Sequence, residues 1–233
     1  MKDNQSLLLD LHKSREQMYR LLSRLYLLEV DEELFDVLKE MKFPGEAPDE
    51  APDEDLQEGY AHIGAYLKDA VSRIQGAADE AAALQEVLDE LAVDYARIFL
   101  SAGVAQGKAA FPFESVYTSR QHLMMQESRN DVIALYAEKG LTPGKDMYRV
   151  PEDHLGLLLE YMALLCTETL QKEGELQDAP LKEQKDFLNQ HLINWVPAFT
   201  ADVVAYASTD FYRGLGKLTK GFLSLERGLF AEE

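Results

Sequence analysis

Basic residues are scarce in this chain. Against 42 aspartates and glutamates stand 23 lysines and arginines, a formal net charge of -19 over 233 residues. A surface of that sign repels a phosphate backbone, whose affinity for proteins rests on Lys and Arg, so nucleic acid is excluded as a partner and cationic segments are favoured. Cysteine occurs once, as Cys166 beside Leu164 and Leu165 in an apolar helical pattern. It has no intrachain disulfide partner, reads as a small buried hydrophobe, and suits a reducing compartment. Long apolar runs are missing as well. Asp10, His12 and Lys13 interrupt the amino-terminal stretch before it reaches signal-peptide length, and no segment offers the ~20 uninterrupted apolar residues of a membrane span. The expectation is a cytoplasmic protein with no integral membrane segment.

Chemistry-bearing patterns are also sparse. The five histidines, His12, His62, His122, His154 and His191, never stand three or four apart, the spacing that lets one helix offer two ligands to zinc. No metal site and no cofactor is expected. Ser115 has no Gly-x-Ser-x-Gly elbow around it, and Gly214-Leu215-Gly216-Lys217-Leu218-Thr219 departs from a phosphate-binding loop because Thr219 does not follow Lys217 directly. Asn-Gly and Asp-Gly pairs and sustained period-two alternation are absent, which argues against β-hairpins.

Helical periodicity is what the chain has in abundance, with 46% hydrophobic residues to form a core. Leu7, Leu11, Met18, Leu22 and Leu25 predict a long first helix over Ser6 to Leu28, and a shorter helix follows over Glu32 to Met41. The repeated tetrapeptide Ala47-Pro48-Asp49-Glu50, Ala51-Pro52-Asp53-Glu54 is too rich in proline for a continuous helix, so 44–55 reads as a mobile acidic loop. Leu84, Val87, Leu88, Leu91, Tyr95, Ile98 and Phe99 mark a helix that packs into a core. Another helix is expected from Tyr117 to Lys139, where Gly140 supplies the stop. Pro151 is read as opening a helix apolar nearly all round, with Leu155, Leu158, Leu159 and Met162. The last helix carries Phe211, Leu215, Leu218 and Phe222, with Gly214 and Gly221 permitting close packing. The chain reads as all-α, a single-domain multi-helix bundle over 1–233 with room for two lobes.

Two segments place polar groups at a helix mouth: Phe111-Pro112-Phe113-Glu114-Ser115-Val116-Tyr117 and Val150-Pro151-Glu152-Asp153-His154-Leu155. Proline is tolerated at a first helical position, and first-turn N–H groups lack intrahelical partners, so Glu152, Asp153 and His154 are placed to present charge. Acidic residues there also offset the helix dipole without any ligand. A third segment, His191-Leu192-Ile193-Asn194-Trp195 with Pro197, puts His191 and Trp195 four apart on one helix face, as a ring contact or a hydrogen-bonded core pair. Pro197 should kink or restart the helix.

In order and spacing these three segments, spread between about Leu91 and Phe222, resemble redox-enzyme maturation chaperones of the TorD/DmsD/NarJ type. The family often carries glutamate before the proline of the second segment; here that position is Val150. The resemblance implies a TorD-like helical fold and a non-enzymatic role: binding the twin-arginine leader or apo form of a molybdenum-containing oxidoreductase, the client, until its cofactor is inserted. It also implies a monomer or domain-swapped dimer. Such a leader joins an arginine pair to an apolar stretch, so its receptor needs carboxylates beside an apolar groove. Asp153 is the first candidate to accept an arginine and Glu114 the second. His154 would orient a carboxylate or donate to the peptide, with Ser115 beside it. Pro112, Phe113, Tyr117 and Pro151 would form the apolar wall, Tyr117 equally serving as a core residue, and His191 and Trp195 would define the fold. The rival reading is a small helical metal-dependent hydrolase using Asp153 and His154, whose order is reversed relative to the His-Asp pairs of such enzymes.

Overall fold

The computed structural model describes residues 2–41, 53–100, 102–141, 150–170 and 178–231. Among these residues the chain forms ten α-helices and no strand. They are α1 Lys2–Leu27, α2 Glu32–Glu40, α3 Glu54–Gln75, α4 Glu80–Phe99, α5 Glu114–Thr118, α6 Glu127–Glu138, α7 Leu155–Leu170, α8 Asp178–His191, α9 Val196–Tyr206 and α10 Asp210–Leu229. The chain divides into two compact units, Met1–Leu28 with Pro112–Trp195, and Glu29–Phe111 with Val196–Glu233.

The first unit is organised around α7. Its sequence is apolar nearly all round, and Leu155, Leu158, Leu159, Met162, Ala163, Leu165 and Cys166 are completely buried. α1 lies against it, with Tyr19, Leu22 and Tyr26 also at zero exposure. The approach is closest at Gly156, where an added Cβ would stand 2.4 Å from Leu27 Cγ. Ser23 Oγ donates to the Gly156 carbonyl at 2.8 Å. α8 joins through a polar cluster: buried Arg15 reaches His12 Nδ1 at 2.8 Å and Gln184 Oε1 at 2.7 Å, and the Gln184 amide donates to Thr169 Oγ1 at 2.8 Å. A file of rings runs from α6 to α8, Tyr136 to Tyr161 at 5.2 Å, Tyr161 to Phe187 at 4.6 Å and Phe187 to His191 at 4.9 Å between centroids.

In the second unit α3 and α10 pack antiparallel at glycines. A Cβ on Gly221 would lie 2.4 Å from Leu56 N, and one on Gly59 2.4 Å from Leu218 N, so backbones touch where only hydrogen fits. One of the unit's buried carboxylates, Asp94, accepts from Thr209 N at 2.7 Å and Thr209 Oγ1 at 2.8 Å, holding the start of α10 against α4.

The all-α expectation agrees with these helices. Residues 44–52 of the expected acidic loop lie outside the described residues; Asp53 instead caps α3, accepting from Leu56 N at 3.1 Å, while Glu54 and Asp55 open that helix. The single helix expected from Tyr117 to Lys139 is not formed. α5 ends at Thr118, a loop follows, and α6 begins at Glu127. His122 and Met125 in that loop adopt φ of 51° and 61°, left-handed values that a right-handed helix excludes.

Candidate functional site

The first two motifs are joined through their backbones. Glu114 N donates to Asp153 O at 3.1 Å and Leu155 N to Pro112 O at 2.8 Å, which makes Phe113 and His154 an isolated antiparallel bridge. Their rings meet edge-on, 5.1 Å between centroids and 79° between planes. Because this bridge consumes the preceding backbone, α7 begins at Leu155 and not at Pro151. Glu152 and Asp153 therefore stand outside its first turn, contrary to the sequence expectation. His154 occupies the capping position. Its carbonyl accepts from Leu158 N at 3.1 Å, and its ring Nδ1 accepts from Gly156 N at 3.0 Å. Burial pushes this imidazole down to a pKa of about 3, so it is neutral, with its proton on Nε2.

Asp153 is fully buried. Its Oδ2 accepts from Ser115 N at 3.0 Å and from Ser115 Oγ, whereas Oδ1 has no hydrogen-bond partner among the described residues. α5 needs this help. The residue ahead of it, Phe113, has no side-chain acceptor for the first-turn N–H groups, and Asp153 supplies one from a distant part of the chain. Glu152 reaches the other way, accepting from Arg129 Nε on α6 at 2.6 Å.

Glu114, the first residue of α5, is 2% exposed and lies 3.0 Å from His191 Nδ1 at the end of α8. Burial raises the Glu114 carboxyl above the usual carboxylate range, against the opposing pull of His191. The His191 carbonyl accepts from Trp195 Nε1 at 2.6 Å, and Trp195 stacks on Tyr117 at 5.6 Å and 28°. Trp195 sits in the turn beyond α8, so the two residues do not share a helix; Pro197 stands in the first turn of α9, where the helix restarts. All three motifs thus meet in the first unit, with Pro112, Phe113, Ser115 and His154 buried and Tyr117 and Pro151 half-buried.

Beside Glu114 and His191 opens a cleft of about 890 Å³. Thr118, Arg120, Glu127, Asp131, Asn189 and Asn194 line its other sides. Three carboxylates, Glu114, Glu127 and Asp131, and one guanidinium, Arg120, line this cleft, and Glu127 and Asp131 have no ion-pair partner among the described residues. Sequence reasoning found Glu114 but missed Glu127 and Asp131. Their i,i+4 spacing was a usable signal, hidden once the α5–α6 break went unrecognised. That break is a pinned loop: His122 Nδ1 stands 2.9 Å from Val116 O, and Gln126 Nε2 donates to Met124 O at 2.9 Å. Its left-handed residues cost about 1–3 kcal/mol each.

The arrangement can hold a cation or a polar peptide, and the donors a metal hydrolase would use are otherwise engaged. Asp153 is engaged with Ser115, His154 is spent on capping, and no group of three or more His, Cys, Asp or Glu suited to a metal ion occurs among the described residues. The hydrolase reading has no support. No described helix is long and apolar enough to cross a membrane.

The fold and the joined motifs define a class, the TorD-type maturation chaperones, and the chain belongs to the nitrate reductase delta subunit family, whose profile matches residues 49–201. Among its relatives is the chaperone protein TorD of Photobacterium profundum, 27% identical over 72% of this chain and 76% of that protein. A TorD of Vibrio cholerae is 28% identical over 70% of this chain and 69% of its own length. The TorD of Vibrio atlanticus aligns over 100% of both chains at 24% identity.

Proposed function

We propose that this chaperone acts in the cytoplasm on the apo form of a molybdenum-containing oxidoreductase, binding its twin-arginine leader so that export waits for cofactor insertion. The observation that carries this reading is the cleft lined by Glu114, Glu127 and Asp131 beside the joined motifs. A guanidinium pairs with carboxylates bidentately, and Glu114, buried at the cleft, is worth more to it than a charge on an open surface. Glu114 is the inner acceptor in this reading. Asp153 and Ser115 act behind it by fixing α5, and His154 by fixing the start of α7. Tyr117 and Pro151, half-buried, form the apolar edge, backed by Pro112 and Phe113, while His191 and Trp195 brace Glu114 from α8 and the turn beyond it. The protein works without covalent chemistry, as a monomer or a domain-swapped dimer.

Calorimetric titration with a synthetic Arg-Arg leader at low and high salt tests this. Affinity should weaken as salt rises, because charges open to solvent are screened beyond a Debye length of ~8 Å near physiological ionic strength. No heat and no competition from several such leaders would remove leader binding from the account.

A further inference from the structure

The loop between α5 and α6 presents three consecutive apolar residues to solvent: Leu123 is 54% exposed, Met124 37% and Met125 60%. Contiguous exposed apolar residues make a candidate binding face, since burial would be favourable and nothing among the described residues supplies it. This one is built to stay outward. Leu123 N is held by Ser119 Oγ at 3.3 Å, and His122 N donates to Ser119 O at 3.3 Å. The left-handed φ values at His122 and Met125 turn the segment away from the helical path that would fold it against α6. Gln121 and Gln126, which bracket the three residues, both line the acidic cleft. The apolar run is therefore the rim of that cleft.

We infer that Leu123, Met124 and Met125 form a lip that receives the apolar stretch next to the client leader's arginines, while the carboxylates of the cleft hold the arginines themselves. The inference rests on the leader-binding reading above and adds to its apolar edge at Tyr117 and Pro151 the surface that takes most of the leader's apolar stretch. Charge complementarity chooses the occupant: a lip beside Glu114, Glu127 and Asp131 favours a segment that is cationic on one side and apolar on the other. A second acidic copy of this chain, at net charge -19, would meet like charge at the same place. Two unbranched methionine side chains adapt to different shapes, so the lip reads hydrophobicity and not a particular residue order.

The test uses the full chain and two synthetic peptides with the same arginine pair, one followed by leucines and one with those leucines replaced by serines. Wild-type protein should bind the leucine peptide about tenfold or more tightly, the scale expected for burying a few apolar side chains. Leu123→Ser combined with Met125→Ser should bring the leucine peptide down to the affinity of the serine peptide and leave the serine peptide unaffected. Both positions are exposed, and the thermal melt of the variant should match wild type. A Met125→Leu variant should keep the preference. Equal wild-type affinity for the two peptides, or an unchanged preference in the double serine variant, overturns the lip and leaves the cleft reading standing. Failure of wild type to bind either peptide overturns the cleft reading and the lip with it.

Discussion

His154 shows how burial converts a reactive-looking side chain into a structural one. Its Nδ1 is committed to the Gly156 N–H, its ring meets Phe113 edge-on, and it is 4% exposed. The consequence is pH dependence. Folded His154 takes no proton until about pH 3, whereas the unfolded residue takes one near 6.5. Between those values the unfolded chain binds more protons, so stability falls as pH falls, by up to about 1.4 kcal/mol per pH unit for this one group. His12, lowered to about 4 by burial and by Arg15, acts in the same direction. Glu114, raised by burial, acts in the other. His154→Asn keeps an acceptor suited to capping but cannot be protonated. Chemical denaturation of this variant between pH 6.5 and 4 should show a slope of stability against pH smaller by about 1.4 kcal/mol per unit; an unchanged slope would mean His154 is not held neutral.

α5 is a five-residue helix, too short to hold itself together in water. It exists because Asp153 accepts its first-turn N–H from outside, and the same helix carries Glu114 to the cleft. Asp153→Ala should therefore cost about 1–3 kcal/mol of stability, the penalty for leaving buried donors unmet. Ser115→Ala should cost less, because the backbone N–H of residue 115 still reaches Asp153 Oδ2, and the double variant should cost clearly less than the sum, since the hydroxyl bond is removed by either change. Additive losses in denaturant melts would show that the two residues act independently. Long helices such as α4 and α7 were legible from apolar spacing alone, because their buried faces are Leu, Ile and Phe. α3 was not, because part of its buried face is Gly59 and Ala70, which hydropathy does not register. The site was legible as residue types: Glu114, Asp153, His154 and His191 were all singled out, but which of them would face solvent was not. Asp153 carries the same charge in a first turn as in a buried cap, and only the backbone bridge between Phe113 and His154, a pairing 41 residues apart in sequence, decides between the two. The α5–α6 loop was missed for a related reason. No glycine or proline marks it, and its left-handed turns fall on His122 and Met125.

A net charge of -19 biases every encounter toward cationic partners, but diffuse charge only speeds association, while selectivity needs carboxylates at fixed positions. In the first unit the cleft supplies such carboxylates: Glu114 is anchored by His191 and α5, and Glu127 and Asp131 by their place on α6. The central claim is that these carboxylates read arginine. The most direct measurement is the affinity of the full chain for an Arg-Arg leader and its Lys-Lys counterpart, compared between wild type and a Glu127→Gln, Asp131→Asn variant. Both replaced side chains are exposed at the cleft wall, so the fold should be unaffected. Wild type should favour Arg-Arg, because lysine cannot form the bidentate pair, and the variant should lose most of that preference, weakening Arg-Arg binding by about tenfold. The same preference for Arg-Arg in wild type and variant would contradict the account.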